Sequence, residues 1–159
     1  MAYMKIVERG NENKYTDLDA YYDLISYWSC DPLKVVATGF ANVTSIEQAA
    51  EEMEQVTRRF KKAYGKKVSH IIITFAPEEL KYRSNESIQW IAEACMRYYA
   101  DRYQVVYGIH NYPRPHIHMI FNRISFLDGK KYPDRYEDRD RFWVHVYRVL
   151  ANYNIRLWK

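Results

Sequence analysis

Three histidines at His110, His116 and His118, separated by a short proline-rich stretch, constrain this chain more than any other feature. Side chains alternate faces along a strand, so in His116-Ile-His-Met-Ile-Phe-Asn122 the residues His116, His118, Ile120 and Asn122 share one face. Ile117, Met119 and Phe121 form the other, which is the face to bury. If residues 111–115 close a hairpin, His110 stands opposite His116 and Gly108 opposite His118, and opposed residues share a face. Glycine at 108 removes a side chain from the spot where a metal or phosphate would sit. Three neutral imidazoles converging with open coordination positions are a common way to hold a catalytic divalent metal, which polarises a phosphoryl oxygen during attack on a phosphodiester.

The rest of the chain reads as mixed α and β. A short strand is expected near residues 3–8, and a helix from about Asp17 through Tyr21, Tyr22, Ile25 and Trp28, stopped by Pro32. Residues 44–64 show helical spacing, with Thr44 and Glu47 in capping-box positions and Gly65 as a stop. Residues 68–75 are β-branched and read as a strand, 85–103 as an amphipathic helix, and 104–110 and 116–126 as two strands. Asp128-Gly129 signals a tight turn, and a last helix is expected near 138–153, before an apolar tail at 155–158. The alternation predicts an α+β fold, a mostly antiparallel sheet with helices packed on one side, in a single domain over residues 1–159. His70 and His145 sit among apolar neighbours and are read as core histidines.

Composition narrows the partners. No apolar run is long enough to cross a bilayer, and the N-terminus lacks a secretory signal, so the expected compartment is the cytoplasm. The two cysteines, Cys30 and Cys95, have no ligand-like spacing, and Cys95 falls on the buried side of its helix. With 24 Lys and Arg against 20 Asp and Glu, the chain is mildly basic. Its 16 tyrosines and 4 tryptophans suit stacking on the unpaired bases of a single-stranded nucleic acid, and equally suit an aromatic core. Asn122, from its place on the histidine face, is expected to orient a metal ligand or a DNA phosphate. Arg114 and Arg123 are candidate phosphate contacts.

Several stretches together resemble the relaxases, or mobilisation nucleases, of the HUH endonuclease superfamily. His116-Ile117-His118 matches the two histidines around a hydrophobic residue that give the superfamily its name. Leu24-Ile-Ser-Tyr27, followed by Asp31-Pro32-Leu33-Lys34, is similar to the family's early tyrosine segment with its downstream proline and lysine. Ser69 to Glu78 looks like its strand ending in Phe-x-Pro-Gly-Glu, with Glu78 at the glycine position and Glu79 as the acid. The block from His110 to Asn122 is similar to its metal hairpin, and Asp128-Gly-Lys-Lys-Tyr132 to the segment after that hairpin. Where many relatives carry a further histidine and an aspartate in the loop, this chain has Asn111-Tyr-Pro-Arg-Pro115, and relatives often continue into further domains.

The resemblance implies nicking of one DNA strand at a transfer origin in plasmid or mobile-element mobilisation, through a covalent 5′-phosphotyrosine. It implies one divalent ion, Mn2+ or Mg2+ with Zn2+ also accommodated, held by His110, His116 and His118. It makes Tyr27 the attacking residue, with Tyr21 and Tyr22 as alternatives, adds Lys34 to the DNA contacts, and suggests accessory mobilisation proteins as partners. Two other readings remain: a rolling-circle replication initiator, whose tyrosine would come after the histidine pair, and a non-cutting accessory protein that binds single-stranded DNA.

Overall fold

A computed structural model describes residues 1–7, 19–29, 34–80 and 83–159, with the side chains of Tyr27, Trp28, Ser29 and Leu80 outside the description. The elements run β1 (Ala2–Ile6), α1 (Ala20–Ser29), β2 (Val35–Ala41), α2 (Ile46–Arg59), β3 (Val68–Phe75), α3 (Pro77–Leu80), α4 (Asn85–Ala100), β4 (Val105–His110), β5 (His116–Asn122), α5 (Tyr136–Ala151) and β6 (Leu157–Trp158). The strands form one sheet in the order β2-β4-β5-β3-β1-β6. Every pairing is antiparallel except that of β1 with β6.

The expected α+β class and mostly antiparallel sheet are present. The helices, however, cover both faces of the sheet rather than one. Ile71, Ile73, Phe75, Val105, Tyr107, Ile109, Ile117, Met119 and Phe121 point to one face and pack with Ile88, Ile91 and Cys95 of α4 and Phe142, Val146 and Leu150 of α5. On the opposite face, Val68, Val106 and Ile120 pack under Tyr21, Leu24 and Ile25 of α1 and Ala49, Ala50 and Met53 of α2. Among the described residues, one end of that second face carries the apolar side chains that pack under α1 and α2. Its other end carries the histidines, so the helices cannot close over the whole of it by hydrophobic burial.

The aromatic residues divide between core and surface. Tyr99 stacks on Phe121 with ring centroids 4.0 Å apart, and Tyr103, Tyr132 and Phe142 crowd around them, so much of the tyrosine content is core. Tyr3, Tyr22, Phe40, Tyr64 and Trp158 are exposed. Cys95 is fully buried, and burial pushes its thiol up to about 12.

Several boundaries differ from those the sequence predicts, each for a local reason. Strand β2 is an addition, because its run Val-Val-Ala-Thr-Gly-Phe-Ala contains a strand-weakening glycine. Gly39 is nevertheless required: a Cβ there would lie 2.3 Å from the Tyr107 ring of the paired strand. The cap of α2 is Ser45, whose hydroxyl accepts from the Gln48 N–H at 3.1 Å, not Thr44. Thr44 instead gives its backbone N–H and its hydroxyl to the Glu52 carboxylate. The helix stops at Arg59 and β5 at Asn122, both short of expectation. Asp128-Gly129 does turn the chain, with Gly129 at φ 70° and Ile124 bridged to Lys131 beyond it. Pro32 lies outside the described residues. No described helix is long and apolar enough to cross a membrane.

Candidate active site

The β4–β5 hairpin pairs His110 with His116 and Gly108 with His118, the register expected from the sequence. It brings the three imidazoles together, with ring centroids 4.6 to 5.1 Å apart. One ligand nitrogen from each lies within 4.8 Å of the others, so His110, His116 and His118 could hold a metal ion. His110 and His118 are buried and His116 is half-buried, which leaves the group open on one side.

The partner of His116 fixes one proton in this cluster, and the His–His contacts fix the others only as alternatives. His116 Nδ1 lies 2.6 Å from the Arg114 carbonyl, which only accepts, so Nδ1–H donates and Nε2 keeps its lone pair. His118 Nδ1 lies 2.8 Å from His70 Nε2, and either ring can donate; the tautomer with the proton on His118 Nδ1 is the one that frees His118 Nε2 for a metal. The two Nε2 atoms are 2.9 Å apart. Without a metal, a proton on one of them makes this contact a hydrogen bond; with both lone pairs turned inward, a cation takes the proton's place between them. Two nitrogens each about 2.0–2.1 Å from one ion can be that close, so the donor set fits a metal. The site also favours neutral ligands. Burial first, then His70, His116 and His110, push the His118 imidazole down to about 2.

His70 does more than the sequence suggests. It is buried as expected, but its ring stacks on His118 at 5.1 Å instead of merely filling the core. The signal lies in the register: β3 pairs Ile72 with His118 and Thr74 with His116, and His70 shares their face. His145 keeps the role assigned to it, with Nε2 2.8 Å from the Ala94 carbonyl.

Two expected DNA contacts are removed by their surroundings. Asn122 is completely buried. Its Oδ1 accepts from the Tyr21 hydroxyl and from Ile124 N–H, each at 3.0 Å, and its amide donates to Gln104 at 3.0 Å and to the Met53 carbonyl at 3.3 Å. No donor is left for a phosphate. Arg123 is buried as well, pairing with Asp134 at 3.3 Å and donating to the Tyr132 carbonyl at 3.3 Å. Arg114 is exposed on the loop beside His116, and Lys34 is exposed just before β2.

The tyrosines separate equally clearly. Tyr21 has no exposed surface, its hydroxyl is held by Thr57 at 2.6 Å, and burial raises its pKa, so it cannot reach a substrate. Tyr22 is exposed and lines a groove of about 430 Å³ with Ile25, Ser26, Thr38, Ile46 and Glu47. Thr38 pairs with Gly108, so this groove borders the histidines. The backbone of Tyr27 continues α1, and its side chain lies outside the described residues.

The whole described fold has solved counterparts. The relaxase domain of MobM bound to 26 nucleotides of pMV158 oriT DNA superposes with a TM-score of 0.58 at 12% identity, over 99% of this chain and 88% of that one. A second structure of the same domain, with pMV158 oriT DNA and manganese, gives 0.58 at 14% identity over 100% of this chain and 88% of that one. At these identities the likeness is one of fold. No curated protein matches the chain in sequence. Residues 30–154 match the relaxase family described as MobA/VirD2-like, nuclease domain. That match takes in the entire histidine hairpin and begins just after Tyr27. With most of its length matched, the chain belongs to the MobA/VirD2-like relaxases and carries their nuclease domain.

Proposed function

We propose that this relaxase nicks and rejoins one DNA strand at a transfer origin, using Tyr27 as nucleophile and a divalent ion held by His110, His116 and His118. The observation that carries the reading is the close approach of the His116 and His118 Nε2 atoms, backed by His70 and completed by His110. A divalent ion held by these histidines would supply Lewis-acid stabilisation of the charge that builds on the scissile phosphate. The manganese and oriT DNA bound by the MobM relaxase domain favour Mn2+ and transfer-origin DNA as ligands here too, with Mg2+ as the other candidate ion.

The Tyr27 oxygen attacks phosphorus as its proton leaves. The bond from phosphorus to the 3′ oxygen breaks, and that oxygen takes up a proton to become a free 3′ hydroxyl. One phosphodiester replaces another, so bond energy is kept and attack by a 3′ hydroxyl reverses the step. Tyr27 is favoured by its match to the family's tyrosine position near the end of the first helix; Tyr21 is sealed in the core, and Tyr22, exposed in the groove beside β2, is the alternative. Arg114, exposed beside His116, and Lys34 supply phosphate contacts. The unit acts as a single domain over residues 1–159, in the cytoplasm, with accessory mobilisation proteins presenting the origin.

The test is a covalent-adduct assay on single-stranded origin DNA with Mn2+. Wild type forms a protein–DNA adduct that survives denaturation, and Tyr27→Phe forms none while binding metal and DNA normally. An adduct persisting in Tyr27→Phe moves the role to Tyr22. Normal DNA binding without any wild-type adduct makes the chain a non-cutting DNA-binding module.

A further inference from the structure

The sheet face that carries the histidines continues past them toward β1 and β6. Residues directly opposed on paired strands share a face, so a row can be traced across the sheet. His110 pairs with His116, His116 with Thr74, Thr74 with Tyr3, and Tyr3 with Trp158. The next row runs from Gly108 through His118 and Ile72 to Lys5. On β1 and β6 the alternate residues Ala2 and Leu157 point the other way, into the α4–α5 core. Tyr3 and Trp158 therefore stand on the histidine face, and they are 47% and 57% exposed. Lys5 beside them is exposed too.

Strand spacing of about 4.8 Å puts Tyr3 about 10 Å and Trp158 about 14 Å from His116 along this row. Two adjacent aromatic rings left in water on a sheet face, in line with a metal centre and next to a lysine, have the form of a base-stacking surface. Aromatic faces hold unpaired bases regardless of sequence, while a neighbouring cation meets the backbone.

We propose that Tyr3 and Trp158 form a stacking platform for two unpaired bases of the DNA strand that enters the histidine site, with Lys5 meeting its phosphates. The proposal rests on the reading of that site as one that acts on a DNA strand. The experiment is anisotropy of a labelled single-stranded oligonucleotide of mixed sequence, titrated across a salt series with wild type, Tyr3→Ala, Trp158→Ala, Tyr3→Phe, Trp158→Phe and Lys5→Ala. Each alanine replacement of a ring weakens binding about fivefold or more with an unchanged salt slope. The phenylalanine variants stay close to wild type, and Lys5→Ala lowers the slope by about 1. An oligonucleotide with abasic sites through the bound stretch binds wild type more weakly and no longer distinguishes the alanine variants. Circular dichroism confirms that each variant is folded, and the phenylalanine pair preserves the strand packing if an alanine variant does not fold. Folded alanine variants that bind like wild type, or an abasic strand that binds equally well, overturn the platform while leaving strand transfer intact. A wild type that binds no single-stranded DNA overturns both.

Discussion

Removing the imidazole of His70 tests whether the histidine cluster is a metal centre with a supporting shell or three ligands on an indifferent scaffold. His70 Nε2 sits 2.8 Å from His118 Nδ1, and in the metal-binding tautomer of His118 it is the acceptor that holds the proton on Nδ1. His70→Ala deletes that acceptor and empties a buried site. His118 is then free to take the other tautomer, in which Nε2 is protonated and cannot bind metal. Losing such a supporting hydrogen bond costs about 10- to 100-fold in metal affinity, or about 1.4–2.8 kcal/mol. Calorimetric titration with Mn2+ of wild type, His70→Ala and His70→Gln measures it, well below each variant's melting temperature. His70→Gln restores an acceptor and should recover much of the affinity. His118→Ala, which removes a ligand outright, should bind least. If His70→Ala binds Mn2+ as tightly as wild type, His70 does not set the His118 tautomer and is only packing.

Asn122→Ala strands the Ile124 N–H and the Gln104 side-chain carbonyl in a dry interior, so unfolding by urea should show a loss of about 2–3 kcal/mol; a change within experimental error would refute the anchoring role. Acid should destabilise the metal-free protein through His118, whose folded pKa of about 2 lies far below the unfolded value of about 6.5. The lowered pKa means the unfolded chain binds the proton first. The contribution is therefore full above about pH 6.5 and declines as pH falls toward 2, by at most about 1.4 kcal/mol per pH unit. Urea midpoints collected from neutral to mildly acidic pH should fall for wild type and less steeply for His118→Asn. Equal slopes would mean that His118 is not the group that titrates.

The contrast between Asn122 and His118 explains why some site residues were legible and others were not. Both lie on the same strand face, and strand periodicity cannot separate them. What separates them is which half of the face the helices cover. Tyr21 and Met53 reach down from α1 and α2 to engage the Asn122 amide, while the histidine end has no such lid among the described residues. Arg123 fails as a phosphate contact for the same kind of reason, since Asp134 arrives from a loop beyond the Asp128-Gly129 turn to pair with it.

By itself, the sequence determined the hairpin: alternation, a five-residue connection and Gly108 were enough to set the register that unites His110, His116 and His118. Those are local rules, acting over a dozen neighbouring residues, and local rules can be read from one chain. It also placed the main helices and central strands, because hydrophobic periods of 2.0 and 3.6 are written in the residues themselves. Only the tertiary structure decided that helices cover both faces, that an edge strand runs through Gly39, and that His70 backs His118. It alone aligned Tyr3 and Trp158 with the histidine row. Each of these depends on which strand lies beside which, and that order is set by burial summed over the whole sheet rather than by any neighbourhood along the chain.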